Sequence, residues 1–292
     1  MSMWTRTIAF TALSLSLAGC SSTPAQRKVA QDAVDAMGEY DKVKAIHMLT
    51  MTGGTGTRTK VGQAMSATGP DQIGQLTNNV ETVDIANGRA AYDYDLQVGD
   101  FMQHRHEVLT KSGGGTGKPV GIESIAGVSF ATTPAGLFSW GTQNSPEFLL
   151  RRNPVSIVLA AAESASVSLV SEEKEFNGKM MKYAAAKTGE GEDVGLYYDP
   201  ETKLLAGFEV LDTETMLGDV KAQYTLSDYK AVDGIKIPHH IKIRKGGEDY
   251  SEVQYASIAV NDTKSEAVFA VPANLAASAS EAAEATDYFP MT

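Results

Sequence analysis

Between residues 193 and 272, apolar and polar residues alternate in short runs that end at turn residues. From Ile235 to Ile243 every second residue is isoleucine or histidine, and the residues between them are charged, polar or proline. The run Val220–Ser227 alternates in the same way. A period of two is typical of strands with one buried face and one wet face. The pairs that separate the runs are Asp199-Pro200, Asp233-Gly234 and Gly246-Gly247.

Similar runs upstream predict further strands, and two helical patterns interrupt them. Ala25–Met37 places Val29, Ala33, Val34 and Met37 at helical spacing on one face. The second helix is predicted over Ser145–Ala162, with a kink or break at Pro154. The strands predicted before residue 193 are Val43–Met51 (closed by Gly53-Gly54), Gln63–Ala67, Gln75–Asp84, Arg89–Val98, Phe101–Leu109, Ser166–Val170 and Met180–Ala185.

These elements together predict an α+β fold built on a single, strongly curved antiparallel sheet. The family resemblance described below implies that this sheet is an open half-barrel of about 10–12 strands, and a sheet of this size cannot fill its own concavity. One N-terminal helix and one inserted helical segment would cover the concave side.

The first twenty residues have the pattern of a secretory signal. Arg6 precedes an apolar run from Ile8 to Leu17 that is too short to span a bilayer. Leu17-Ala18-Gly19-Cys20 resembles the lipobox of bacterial lipoproteins. That resemblance implies cleavage before Cys20, a diacylglycerol on its thiol and an acyl group on its new amine. Ser21, by the same resemblance, favours the outer membrane and a periplasm-facing protein.

The predicted organisation is therefore one domain behind a lipid anchor. Residues 1–19 form the signal peptide, 20–26 a lipidated tether, 27–275 the half-barrel domain and 276–292 a disordered tail rich in alanine, serine and glutamate. Cys20 is the single cysteine, so no intrachain disulfide is possible. The net charge of −11 argues against nucleic acid and anionic membrane surfaces as partners.

The histidines are the most conspicuous candidates for chemistry. His104 and His106 share one face of a predicted strand, as two ligands of one zinc ion would. His239 and His240 are adjacent on a strand and point to opposite faces, so they cannot easily chelate one ion. No nucleophile motif or cofactor fingerprint accompanies them. We therefore predict no catalytic residues, no metal and no cofactor, and expect a protein that is not an enzyme.

Two family resemblances complete the interpretation. A lipobox, an N-terminal helix, many antiparallel strands and a helical insertion over residues 27–272 resemble the LolA/LolB lipoprotein-carrier class. That class implies an unclosed, curved sheet with a helical lid and a cavity for acyl chains. Leu196–Thr202 and Val232–Pro238 also resemble a β-rich module that precedes some metallo-β-lactamase-fold hydrolases. The chain ends without such a hydrolase domain, so this second likeness implies a fold and no activity.

The functional hypothesis is a membrane-anchored periplasmic lipoprotein that binds a lipid, an acyl chain or another apolar ligand. Its role would be lipid or lipoprotein transport, or envelope maintenance. One alternative is a non-catalytic structural or interaction module that docks an unidentified envelope protein. A weaker alternative is a metal-dependent hydrolase that uses His104 and His106. The candidate ligand-binding residues are Phe208, Val210, Tyr224, Leu226, Ile237 and Ile241, which would otherwise pack against the two helices.

Overall fold

A single antiparallel sheet of fourteen strands dominates the computed structural model. The structure describes residues 24–64, 66, 68–110, 120–125, 128–132, 153–163, 173–187, 193–214, 218–264 and 266–270. Along the sheet the strand order is β6-β5-β4-β3-β2-β1-β13-β12-β11-β10-β9-β8-β7, and β14 also pairs with β1. Among the described strands no pairing joins the two end strands, so the sheet stays open. The predicted α+β fold with one open antiparallel sheet is confirmed.

The strands form two up-and-down series, the first six along the chain and the next seven, which join where the first strand pairs with the thirteenth. Their bounds are β1 Met48–Ala64, β2 Asp71–Asp84, β3 Arg89–Val98, β4 Phe101–Thr110, β5 Val120–Ile125, β6 Val128–Thr132, β7 Glu173–Phe176, β8 Lys179–Lys187, β9 Asp193–Tyr198, β10 Leu205–Glu214, β11 Gly218–Val232, β12 Ile235–Lys245, β13 Glu248–Gln254 and β14 Ser257–Val260.

Three α-helices accompany the sheet in the described part of the chain. They are α1 Pro24–Gly38, α2 Tyr40–Lys44 and α3 Pro154–Glu163, and a short 3-10 helix spans Glu266–Phe269. Helix α1 packs against α3, and both contact β12. None of the helices in the described ranges has the length and apolar character needed to cross a bilayer.

One face of the sheet, the inner face, packs against α1 and α3 in a continuous hydrophobic core. Helix α1 contributes its predicted apolar stripe, with Ala33, Val34 and Met37 all buried. Gly38 ends α1 directly against the β11–β12 hairpin, where a Cβ would lie 3.0 Å from the Gly234 carbonyl oxygen. This glycine is therefore required for close packing, while the left-handed residue that follows is Glu39 (φ 57°).

The predicted strand Val43–Met51 is wrong at both ends. Val43 lies buried in α2, whose acidic first turn and basic last turn suit the helix dipole. The strand begins only at Met48, and it continues past Gly53-Gly54 to Ala64. The register with β2 shifts between Met51 and Gly54, so the glycine pair forms a bulge instead of a closing turn. Of the separate strand predicted over Gln63–Ala67, Gln63 and Ala64 form the end of this long strand.

The sequence pattern does not predict some of the short strands individually. Strands β5 and β6 have blurred alternation, with Gly121 and Ser124 in the first of them, and β7 has only four residues. The predicted strand Ser166–Val170 and the first part of the predicted helix, 145–152, lie outside the described residues. Helix α3 begins at Pro154, so this proline occupies its first turn, where the missing N–H costs little.

Candidate functional site

A cavity of about 140 Å³ lies on the inner face, where β1–β4 meet β11–β13 at the N-terminal end of α3. The strand register brings these side chains onto one face. Ile243 pairs with Ser251, and Ser251 pairs with Arg58. Further along the sheet, Glu81 pairs with Tyr92 and Tyr92 with Glu107. Residues far apart in the sequence therefore surround one space.

One side of the cavity is hydrophobic, and we call it the apolar wall. Leu226 and Ile241 are cross-strand partners, and Ile241 pairs in turn with Val253. The ring of Tyr224 continues this surface and stacks on Phe208 with ring centroids 4.4 Å apart. The apolar wall consists of Met51, Pro154, Tyr224, Leu226, Ile241, Ile243 and Val253.

Other residues of the lining carry hydrogen-bonding and charged groups, and we call them the polar wall. They are Arg58, Asn79, Glu81, Tyr92, Tyr94, Glu107, Asn153 and Tyr255. Arg58 and Glu81 are half-buried, and both line the cavity. Burying so many polar groups is costly unless each finds a partner.

Most of these groups belong to two relays of the same design. In the first relay Arg58 Nη1 donates to the Tyr94 hydroxyl at 3.0 Å, and that hydroxyl donates to Glu107 Oε1 at 2.6 Å. Burial raises the pKa of the Tyr94 phenol, and the neighbouring Glu107 raises it further. The phenol therefore stays protonated and bridges a cation to a carboxylate.

In the second relay Asn79 Nδ2 lies 3.4 Å from the Tyr255 hydroxyl, which donates to Glu81 Oε2 at 2.8 Å. Burial raises the pKa of Glu81 to about 6, although the hydrogen bond from Tyr255 acts in the opposite direction. Glu81 is thus only partly ionised near that pH, unlike an ordinary surface glutamate.

Asn153 connects the polar wall to helix α3. Its Oδ1 accepts a hydrogen bond of 2.9 Å from the Val155 N–H, which is the standard contact of a helix N-cap. This contact fixes which side-chain atom is oxygen, so Nδ2 is the atom left over. The capped end of α3 and the side chain of Asn153 both reach the cavity.

Four polar atoms of the polar wall have no hydrogen-bond partner among the described residues. They are Arg58 Nε, Asn79 Oδ1 and Asn153 Nδ2, and the Tyr92 hydroxyl is the fourth such atom. Asn79 is 7% exposed and Asn153 4% exposed, so bulk water does not solvate them freely. An unpaired buried polar group costs about 1–3 kcal/mol. The cavity therefore has the character of a site that ordered water or the polar end of a ligand completes.

A buried ion pair marks the boundary between the two sides. Lys245 Nζ lies 3.0 Å from Asp212 Oδ2, and the two side chains are 4% and 2% exposed. The same ammonium group lies 4.2 Å from the centre of the Tyr250 ring. Lys245 and Tyr250 both line the cavity, so a second cation is held beside Arg58.

The candidate ligand-binding residues divide into two groups. Tyr224, Leu226 and Ile241 line the cavity. Phe208, Val210 and Ile237 are buried in the core that α1 and α3 close, outside the set that lines the cavity. The structure thus places half of the predicted residues at the site and half beneath the helices. Their role in binding remains a prediction.

His104 and His106 lie on the outer face, and aspartates of β3 engage both. His104 Nδ1 lies 2.8 Å from Asp95 Oδ1, and His106 Nδ1 lies 3.2 Å from Asp93 Oδ2. Within the described residues no group of three or more histidine, cysteine, aspartate or glutamate side chains could hold a metal ion. The geometry gives no support to the hydrolase alternative.

Sequence reasoning missed the polar wall. In the segment Gln103–Glu107 the sequence pattern indicates the alternating histidines as candidates, whereas Glu107, on the other face, lines the cavity. The alternation of Tyr92 and Tyr94 with Asp93 and Asp95 was the one available signal, because tyrosine on a buried face usually needs a polar partner. Which carboxylates and cations meet those phenols depends on register between distant strands.

Comparisons with known proteins identify distant structural similarity. No protein-family model matches the chain, and no curated protein sequence does. A DUF1329 family protein from Desulfovibrio piger aligns with a TM-score of 0.49 and 11% identity, over 84% of this chain and 96% of that chain. An outer membrane lipoprotein-sorting protein domain from Vibrio parahaemolyticus gives 0.46 and 10%, over 83% and 95%. A LolA superfamily protein from Nitrosomonas europaea gives 0.45 and 7%, over 84% and 97%.

Proposed function

We propose that the chain is an envelope lipoprotein whose half-barrel domain binds a small amphipathic ligand on the inner face of the sheet. The main support for this proposal is the cavity itself, which is lined by hydrophobic side chains together with charged and hydrogen-bonding ones. A purely structural core would be filled with side chains and would leave few polar atoms without partners.

The size of the cavity limits what it holds. A volume of about 140 Å³ is close to the ~150 Å³ of an engineered cavity that binds benzene, and below the ~300–1,000 Å³ of pockets for drug-sized ligands. It accepts one ring or a short alkyl segment and cannot enclose a complete C16 chain. A segment of roughly five methylenes would contribute about 4 kcal/mol at ~0.8 kcal/mol each, so polar contacts must supply further affinity.

The cellular setting of the proposal comes from the N-terminal sequence. Residues 1–23, which contain the signal pattern and the lipobox at Cys20, lie outside the described part of the chain. Lipidation of Cys20 would anchor the domain to the outer membrane on the periplasmic side, where it would act in lipid or lipoprotein transport or in envelope maintenance. Replacing Cys20 with alanine should release the protein from membranes, and continued anchoring would refute the lipobox assignment.

Ligand binding is tested by blocking the cavity. Ile241 lies on the apolar wall, and an indole at this position would occupy the cavity. We expect the full chain, purified without detergent, to retain a ligand in native mass spectrometry or to bind a fluorescent apolar probe. Ile241→Trp should abolish probe binding. Ile73→Trp, at a site on β2 that is 58% exposed, is the matched control and should bind as the wild type does. A clean apo mass together with no probe binding would overturn the proposal.

A further inference from the structure

Two of the unpartnered atoms of the polar wall are hydrogen-bond donors. Asn153 Nδ2 and Arg58 Nε are donors without partners among the described residues, Asn79 Oδ1 is an acceptor, and the Tyr92 hydroxyl can act as either. Arg58 and Asn153 both line the same cavity. The guanidinium of Arg58 is permanently cationic, and an unpaired N–H of such a group prefers an anionic acceptor.

Helix α3 adds a further positive field at the same place. Its N-cap, Asn153, and its first residue, Pro154, line the cavity. The positive end of the helix dipole therefore faces the ligand space, and helix N-termini of this kind favour anions. The hydrogen bond between Oδ1 and the Val155 N–H identifies Nδ2 as the atom of Asn153 that has no partner among the described residues.

The carboxylates in and beside the cavity already have partners, so they do not form a binding site for a cationic ligand. Glu107 already accepts a hydrogen bond from Tyr94, and Glu81 accepts one from Tyr255. Asp212 is paired with Lys245. Burial also raises the pKa of Glu81 to about 6, so burial disfavours its negatively charged form. A ligand that carries an ammonium group would meet Arg58, Lys245 and the helix terminus together.

We propose that the cavity binds a short-chain monocarboxylate, with the carboxylate at Asn153 Nδ2, Arg58 and the N-terminus of α3. The alkyl chain lies along Leu226, Ile241 and Val253 of the apolar wall. This inference rests on the proposed function and specifies the chemistry of its ligand. The shape of the site suits roughly five or six carbons, in keeping with the size of the cavity.

The test compares three ligands that share one chain: hexanoate, hexan-1-ol and hexylammonium. Each is titrated into the full chain at about pH 7.5, where the carboxylate and the ammonium are both ionised. Nitrogen–proton correlation NMR follows the titration and reports on the Asn153 side-chain amide directly. Charge-assisted hydrogen bonds predict that hexanoate binds at least about ten-fold more tightly than hexan-1-ol, and that hexylammonium binds least tightly.

A conservative variant separates recognition of the carboxylate from burial of the chain. Asn153→Asp keeps an oxygen that caps α3, but it removes the Nδ2 donor and adds a negative charge. It should weaken hexanoate binding about ten-fold or more and leave hexan-1-ol binding within about two-fold. Asn177→Asp, in the exposed β7–β8 turn, makes the same chemical change away from the cavity and should alter neither.

The outcomes distinguish this inference from the proposed function. Equal affinity of the wild type for hexanoate and hexan-1-ol would overturn the carboxylate assignment while leaving an amphipathic or apolar binding site in place. An Asn153→Asp variant that binds hexanoate as tightly as the wild type would also overturn it. If none of the three ligands binds, the cavity holds only water, and this inference fails together with the function on which it rests.

Discussion

The two halves of the inner face are built from the same antiparallel strands but carry different side chains. Across β8–β12, the apolar half, the inner residues are almost all hydrophobic and pack against α1 and α3. Across β1–β4, the polar half, they include Arg58, Glu81 and Glu107, linked through tyrosines. The cavity lies between the halves. The apolar half thus forms most of the core, and the polar half gives the site its chemistry.

The largest effect is expected in the apolar half, from Phe208→Ala. Phe208 is fully buried and stacks on Tyr224. Its removal should lower the free energy of unfolding by about 4 kcal/mol, because the rigid surroundings would leave a void. Chemical denaturation measures this change. Leu211→Ala, on the outer face of the same strand and 68% exposed, is the control and should cost less than about 0.5 kcal/mol. A loss below about 1 kcal/mol for Phe208→Ala would mean that the helices do not close this half.

The second largest loss of stability is expected from breaking the buried Lys245–Asp212 ion pair. Lys245→Met removes one partner of a buried pair and should destabilise the fold by about 3 kcal/mol. Lys242→Met changes a lysine of the same strand whose ammonium group contacts Asp249 at 2.8 Å on the partly exposed outer face. That control should cost less than about 1 kcal/mol. Thermal and urea unfolding compare the two variants, and equal losses would contradict the burial of the Lys245–Asp212 pair.

The smallest effect is a pH dependence that originates in the polar half. The folded-state pKa of Glu81 is raised from 4.5 to about 6 by burial. The folded protein therefore binds this proton more tightly than the unfolded chain does. The resulting stabilisation is complete below about pH 4.5 and is lost as the pH rises through 6, a change of about 2 kcal/mol.

Glu81→Gln removes this titration. Relative to the variant, the wild type should lose up to about 2 kcal/mol of stability between pH 4.5 and pH 7. Urea unfolding at several pH values measures the difference. Glu201→Gln, in the exposed β9–β10 turn, is the matched control. A stability difference between wild type and Glu81→Gln that stays constant across this range would show that Glu81 is not held in a desolvated site.

The sequence predicted the apolar half of the inner face better than it predicted the polar half. In the apolar half the period of two places Phe208, Tyr224 and Ile237 on a buried face, because nearly every inward position there is hydrophobic. In the polar half Arg58 and Glu107 occupy inward positions, so hydropathy alone marks them as solvent-facing. Their burial depends on partners that register brings together, such as Tyr94 between them. The local pattern of polar and apolar residues does not reveal which distant residues become partners.

The glycines show the same limit. Gly53-Gly54 has the composition of a turn, yet the chain continues through it as a bulged strand because β2, β13 and β14 all pair with β1. Tertiary pairing decides between the two outcomes, and it also determines where the polar wall stands relative to the apolar wall.

The most direct test of the binding site is a crystal structure of the protein with 6-bromohexanoate, located by the anomalous scattering of its bromine. We expect the bromine signal against Leu226 and Ile241 on the apolar wall, and the carboxylate within hydrogen-bonding distance of Asn153 Nδ2. A bromine signal outside the cavity, or one beside Arg58 with the carboxylate turned away from Asn153, would contradict the assignment of the two walls.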